Sequence, residues 1–347
     1  MSRVRIGILG ANGFGGSELL RFLLFHPHVE VRRASSRRLA GKPVWEELPH
    51  LRGATDLTFC AFAPGDIAKD CDVLISAIPH GGAAARAVAE ALAANKNLRV
   101  IDLSGDFRLQ DPELYEKFYG GKHAAPTLVK KFVYGLPEFF KEEIKAAQLV
   151  ANPGCFATAT LLALLPLAQA GLLSGWVVVD ALTGSTGLGA APVARGHHPF
   201  RTENLRAYNM LNHRHMPEVL QAISRIGKTV IELSFVPHSA PMVRGIFATC
   251  HARLATRIDA KRIEAVYRDA YANAPFVRLL GAGSPESRVV ARTNFADLGW
   301  TVAGDKLVAI CALDNLVKGE AGQAVQNLNL MHGWDETTAL TWPGTTP

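Results

Sequence analysis

Cysteine is scarce in this 347-residue chain and follows no pattern: Cys60, Cys71, Cys155, Cys250 and Cys311 are scattered and odd in number. That excludes a disulfide framework, and with no CxxC pair it offers no zinc site; reduced thiols in a cytoplasmic protein are expected. No apolar run reaches the roughly 18 residues a membrane span needs. The N-terminus enters a strand at once, without a secretory signal pattern. No block of consecutive lysines or arginines stands out, and the net charge is only +6, so no nucleic-acid partner is implied. Such a balance suits anionic small molecules. Internal repeats and low-complexity linkers are missing as well. What remains, 48% hydrophobic and 20% charged, is an ordinary globular chain long enough for two domains.

The first 150 or so residues read as a nucleotide-binding unit. Val4 to Leu9 is a short apolar strand, Gly10-Ala11-Asn12-Gly13-Phe14-Gly15-Gly16 a glycine turn, and Ser17 to Phe25 a helix. In this order the glycines let the backbone approach a pyrophosphate resting on the helix N-terminus. The spacing is GxxGxxG, a variant of the usual fingerprint, and its strand-turn-helix context carries the reading. The next strand, Val29 to Ala34, ends in Ser35-Ser36-Arg37-Arg38, where an NAD-binding chain commonly places an acid. Hydroxyls and guanidinium groups there suit a 2′-phosphate, so NADP is expected over NAD. Further strands run over Val73 to Ile78, Arg99 to Leu103 and Gln148 to Ala151, with an alanine-rich helix from Ala83 to Ala94. At the end of one strand Ser104-Gly105-Asp106-Phe107-Arg108-Leu109 offers Arg108 as an anion clamp, with Asp106 either orienting it or forming the turn. Pro112 to Lys145 reads as short helices and loops rich in core aromatics, not as a stacking platform for bases.

The most reactive position follows. Asn152-Pro153-Gly154-Cys155 is a turn opening onto a long apolar run, Ala157 to Ala170, which reads as a helix. A thiol at the positive end of a helix dipole is expected to have a lowered pKa and to be nucleophilic. Beyond it, Trp176 to Leu182 begins a second sheet, followed by the loop Gly184 to Gly189 with Ser185. A long stretch without periodicity then carries Arg195, His197, His198, Arg201 and Arg206. Asn212 to Glu218 places His213, His215 and Glu218 within two turns, with Pro217 early in a helix running to about Ile226. No further ligand set completes a metal site, and an acid/base histidine oriented by a carboxylate suits thiol chemistry better. Strands over Thr229 to Phe235, Gly245 to Leu254 and Leu307 to Leu313, and a helix from Asp259 to Ala272, complete a block able to pair subunits through one sheet. Asp314-Asn315-Leu316-Val317-Lys318-Gly319 opens a last helix, expected to pack back on the nucleotide domain, with a loosely held tail after Gly333.

With these residues assembled, the chain resembles the N-acetyl-gamma-glutamyl-phosphate reductases over essentially its full length. The resemblance rests on five ordered motifs: Gly10 to Gly16, Leu103 to Leu109, Asn152 to Cys155, His213 to Glu218, and Asp314 to Gly319. It implies an α/β fold with a Rossmann-type NADP-binding domain over residues 1–152 and an α+β catalytic and dimerisation domain of the semialdehyde dehydrogenase type over 153–315. A C-terminal helix and tail over 316–347 pack back on the first domain. It implies NADPH, an acyl phosphate substrate of arginine biosynthesis, a homo-oligomer (dimer or tetramer), Cys155 as nucleophile and His213 as catalytic histidine. Expected substrate contacts are Arg108, Ser185, His215 and Glu218. Expected cofactor contacts are Gly10, Asn12, Gly13, Phe14, Gly15, Ser35, Ser36, Arg37, Arg38 and Asn315. The loop Gly184 to Arg206 and the Ser35 to Arg38 segment also resemble reductases acting on glutamyl or aminoadipyl phosphates held by a small acidic carrier protein. Asn-Pro before the Gly-Cys pair favours the free N-acetylated substrate. Which of His213 and His215 moves the proton stays open.

Overall fold

The computed structural model describes residues 3–344. They form two compact units: the chain up to Pro153 together with Glu320–Trp342, and Gly154–Gly319.

The first unit is a doubly wound sheet. Its strands and helices follow as β1 (Val4–Leu9), α1 (Phe14–Leu23), β2 (Val29–Ser35), α2 (Val44–Glu47), β3 (Phe59–Cys60), α3 (Pro64–Asp70) and β4 (Val73–Ser76). They continue as α4 (Ala83–Ala94), β5 (Arg99–Asp102), α5 (Pro112–Tyr119), α6 (Pro126–Val129), β6 (Phe132–Tyr134), α7 (Pro137–Ala146) and β7 (Leu149–Ala151). The strand order is β3-β2-β1-β4-β5-β7-β6, and every pairing is parallel. Strands such as β4 are buried on both sides, which is why they read as continuous apolar runs without alternation. The order turns back on itself at β1 and β4, where doubly wound sheets bind ligands beyond their carboxyl ends. β3 and β6 leave no strand pattern in the sequence because two or three residues are too few to alternate. β6 is secured by packing instead: Phe132 stacks on Phe107 with ring centroids 4.0 Å apart.

The second unit opens on α8 (Cys155–Gln169), buried along nearly its whole length and apolar all round, hence a core helix and not a surface one. It includes Pro166, whose missing N–H leaves the Leu162 carbonyl without its helical donor. Tyr271 donates its hydroxyl to that carbonyl, and Tyr267 bonds the next one, Ala163 O, at 2.7 Å. Both tyrosines come from α11 (Ala260–Tyr271). The sheet against α8 runs β12 (Val277–Gly281), β13 (Ala296–Ala303), β14 (Lys306–Leu313), β11 (Ile246–Leu254), β8 (Leu173–Thr183), β10 (Ile231–Ser239) and β9 (Arg206–Ala207). It mixes parallel pairs, β8 with β10 and β12 with β13, with antiparallel ones. β12 and β13 carry no legible alternation: the first five residues of β13 are all buried, and β12 is partly exposed throughout. The short α9 (His198–Arg201) and the longer α10 (His215–Gly227) complete the unit, α10 packing on α8.

The chain then returns to the first unit through α12 (Gly322–Met331), which packs on α1 and α7. His26 Nε2 lies 2.8 Å from Asn329 Oδ1, and Arg99 donates to Met331 O at 2.7 Å. The tail after Gly333 is better held than its composition suggests. Trp334 stacks on His332, Leu340 is buried, and Trp342 lies 6.0 Å from Phe25.

Candidate active site

Cys155 is the first residue of α8, delivered there by the Asn152-Pro153-Gly154 turn. Gly154 is the N-cap in extended conformation; it has no side chain to cap with, and no acidic residue lies in the first turn. The first-turn N–H groups of a helix have no intrahelical acceptor, so this end is built to receive negative charge. The thiol is half-buried. Gly154 N–H itself donates to Glu218 Oε1 at 2.8 Å, so the buried Glu218 of α10 fixes the turn that carries Cys155. From the other side Gly319 presses on the cysteine: a Cβ there would lie 2.6 Å from Cys155 Cβ.

His213 stands just before α10 and is 5% exposed. Phe156 and Phe235 ring centroids lie 5.5 Å away, His215 sits edge-on at 4.7 Å and Tyr208 at 5.9 Å. The His215 main-chain N–H donates to His213 Nδ1 at 3.2 Å, so the neutral ring carries its proton on Nε2. Burial, reinforced by the Arg214 charge, pushes the pKa of His213 down to about 3. At neutral pH this side chain is therefore an uncharged Nε2–H donor, suited to stabilising an oxyanion that forms beside it. Cys155, His213, His215 and Glu218 are all brought together within the second unit.

Other residues singled out by the sequence have structural attachments. Ser185 donates both its N–H (2.9 Å) and its hydroxyl (3.4 Å) to Met242 O. Asn315 is buried, accepting from Gly245 N at 2.8 Å and donating to Thr186 Oγ1 at 2.9 Å. Its neighbour Asp314 accepts from Leu316 N, Val317 N and Arg292 N and pairs with Arg244, Nε to Oδ2 at 2.9 Å. This network shapes the segment that sets Gly319 against Cys155. In the first unit, Arg108 is buried and donates Nε to Asn152 O and Nη2 to Leu103 O, both at 2.8 Å. Those bonds tie the end of β5 to the turn before Cys155. Asp106 is a turn and helix anchor: its carboxylate accepts from Gly81, Gly82 and Ala85 N–H groups and from the Tyr115 hydroxyl.

The glycine turn after β1 fits a dinucleotide. Gly10 has φ +78°, and a Cβ there would lie 2.6 Å from Ala77 O; one on Gly16 would lie 2.4 Å from Gly10 O. Gly13, by contrast, has room for a Cβ, which would meet Gly10 O at an ordinary 3.5 Å, and as the N-cap of α1 it offers no side-chain cap to a first turn free of acids. Gly15 has another reason to be glycine, since a Cβ would meet the Glu320 carboxylate at 2.4 Å. At the same turn Asn12 is partly exposed and Phe14 exposed. At the end of β2, Ser35 and Ser36 are buried while Arg37 and Arg38 are exposed, Arg37 lying over the Phe62 ring at 4.5 Å. An uncapped helix start, a close backbone and two exposed guanidinium groups with no acid suit a pyrophosphate carrying a 2′-phosphate. Among the described residues no cluster of three or more His, Cys, Asp or Glu is placed to hold a metal ion, and no helix is long and apolar enough to cross a membrane.

Residues 5–147 match the family model described as semialdehyde dehydrogenase, NAD binding domain, and residues 155–315 match semialdehyde dehydrogenase, dimerisation domain. An N-acetyl-gamma-glutamyl-phosphate reductase from Methanopyrus kandleri is 44% identical, covering 99% of this chain and 100% of the relative. One from Methanothrix thermoacetophila is 46% identical over the same shares. The chain belongs to the N-acetyl-gamma-glutamyl-phosphate reductase family. Among solved structures, aspartate semialdehyde dehydrogenase II of Vibrio cholerae, complexed with ASA, superposes with TM-score 0.71 at 16% identity, covering 96% of this chain and 99% of that one. The Candida albicans aspartate semialdehyde dehydrogenase with NADP gives 0.71 at 15%, covering 95% and 98%. At such identities these two establish the shared fold. Sequence reasoning missed three residues of the site: Tyr208, Gly319 and the ring of Phe156. Gly319 lies in a motif the sequence does single out, but its contact with Cys155 spans 164 positions and leaves no local signal.

Proposed function

We propose that the chain reduces N-acetyl-gamma-glutamyl phosphate to its semialdehyde with NADPH, releasing phosphate, through a thioester on Cys155. The observation that carries this reading is the half-buried thiol at an uncapped helix start, in the same unit as the neutral His213. The Cys155 thiolate attacks the acyl carbon, the C–O bond to phosphate breaks, and phosphate leaves with its electron pair. The α8 first-turn N–H groups and His213 Nε2–H supply donors for the carbonyl oxygen as it gains charge. Glu218, through Gly154, holds the turn so that the thiol keeps its place. Gly10 to Gly16 would hold NADPH, with Arg37 and Arg38 at its 2′-phosphate, and the cofactor would supply a hydride for reduction of the acyl group. Loss of the semialdehyde then returns the thiolate. Arg108 supports this assembly by holding the Asn152 carbonyl.

A homo-oligomer formed through the second sheet is part of the same proposal. Val178, Val236, Phe247, Val308 and Ile310 are partly exposed, alternating with residues buried toward α8. A cytoplasmic location suits such a biosynthetic enzyme. The test is a substrate panel in the oxidation direction: NADP-dependent, phosphate-dependent turnover of N-acetylglutamate semialdehyde is expected, with Cys155→Ser inactive. Near-normal activity of Cys155→Ser would sink the mechanism.

A further inference from the structure

The segment 189–214 carries four arginines, Arg195, Arg201, Arg206 and Arg214, against one acid, Glu203. Elsewhere arginines meet carboxylates, as in Arg5 with Asp72, Arg33 with Asp70 and Arg278 with Asp297. Among the described residues Arg195, Arg201 and Arg206 have no carboxylate partner. Arg201 is buried and donates to Ser239 Oγ and Ala240 O, so its charge is held in place by neutral groups. Arg206 Nη2 donates to Arg195 O at 3.2 Å, clipping the Ala194–Gly196 turn to β9. Arg195 and Arg206, with Asn204 and Phe200, line an open cavity of about 450 Å³. Like charges gathered without a counter-charge repel, and an anion relieves them.

Tyr208, two residues beyond Arg206, stands next to His213. Its main-chain N–H is fixed to Pro237 O at 3.0 Å and its ring lies edge-on to His213. Among the described residues its hydroxyl makes no protein hydrogen bond. Burial, and after it the Cys155 charge, keeps that hydroxyl protonated; Arg214, Arg195 and Arg201 lie within electrostatic reach as well. A protonated donor thus stands in the field of both the nucleophile and the arginine cluster.

We infer that Arg195, Arg206 and Tyr208 form an oxyanion subsite that takes a charged end of the substrate, its phosphate or its carboxylate, beside Cys155. The inference deepens the proposed activity and rests on it for the identity of the anion. Arg108 is a weaker choice for that task, since two of its nitrogens are committed to main-chain carbonyls.

The test titrates the full chain by calorimetry with inorganic phosphate and, separately, with N-acetylglutamate, and measures KM for phosphate and for semialdehyde in the oxidation direction. Replacing both arginines by glutamine (Arg195→Gln with Arg206→Gln) is expected to weaken binding of one anion roughly tenfold or more and raise the matching KM, with kcat little changed. Loss confined to phosphate identifies the phosphate as occupant; loss confined to N-acetylglutamate and the semialdehyde KM identifies the carboxylate. Arg195→Lys with Arg206→Lys should restore part of the affinity, and Tyr208→Phe should weaken the same anion. Both arginines reach solvent, so the melting temperature should hold. Binding of both anions unchanged in the glutamine variant, or binding of neither by the unaltered chain, overturns the subsite. A chain that binds an anion through these arginines but turns over no acyl phosphate would instead overturn the proposed activity.

Discussion

Gly319→Ala should disable Cys155 without removing any polar group. The added Cβ would lie 2.6 Å from Cys155 Cβ, 3.2 Å from Cys155 Cα and 3.2 Å from Asp314 O. None of these is the far end of a flexible side chain, so relief requires the backbone at the start of α8 or the 314–319 segment to move. Restoring ordinary contact needs a shift on the order of 1 Å, and a misplacement of that size costs about 100-fold in rate when a nucleophile must meet its carbon in line. Overpacking of this kind also costs about 1–3 kcal/mol of stability. A matched control separates the two effects. In Gly227→Ala the new Cβ would lie 2.7 Å from Ala168 Cβ, at the opposite end of the same helix. Both variants should melt a few degrees lower, while only Gly319→Ala should lose roughly 100-fold in kcat/KM and react more slowly with iodoacetamide at Cys155. If the two lose activity alike, or if Gly319→Ala keeps full activity, the argument that Gly319 sets the position of the thiol is refuted.

Three further outcomes are expected. His213, with its pKa held at about 3 against an ordinary 6.5, stays neutral while the unfolded chain takes up a proton. Stability is therefore full above pH 6.5 and falls by about 1.4 kcal/mol per pH unit as pH drops from there toward 3. His332, held at about 4 by burial, acts in the same direction, whereas Asp102, raised to about 6 by burial, opposes them between 3.8 and 6. Urea unfolding across this range should show the loss, and His213→Asn should flatten it; equal slopes would contradict the assignment. Arg37→Ser with Arg38→Ser should raise KM for NADPH roughly tenfold while leaving NADH use unaltered, and an equal effect on both cofactors would remove the 2′-phosphate role. Arg244→Met should cost about 3 kcal/mol in denaturant unfolding, because it strands the fully buried Asp314; a cost below about 1 kcal/mol would mean that its three N–H donors suffice.

What could be read from the sequence was whatever repeats locally. The β1-glycine-α1 unit and the α4 helix follow from apolar runs and small residues, and the helix at Cys155 from a turn leading into unbroken hydrophobicity. Element types failed where length or burial erased the period, as in β6 and β13. Residue choice and residue task also came apart. Arg108 and Asp106 attract notice as charged residues in a strand-end loop, but the structure binds Asp106 to three main-chain N–H groups and commits two nitrogens of Arg108 to carbonyls.

Long-range contacts explain the rest. Glu218 holds the turn before Cys155 only because α10 packs along α8, and nothing within four residues of Glu218 encodes that partner. Sequence alone assigned it to the substrate or to the histidines, since a carboxylate near two imidazoles invites both. The hydrogen bond changes what Glu218 should do when altered. Glu218→Gln keeps an acceptor for Gly154 N–H and should retain much of the activity. Glu218→Ala leaves a buried donor unsatisfied, at a cost of about 1–3 kcal/mol, and frees the turn. A carboxylate that served by binding substrate would fail about equally in both variants, so the ratio of their kcat values separates holding the nucleophile from holding the substrate.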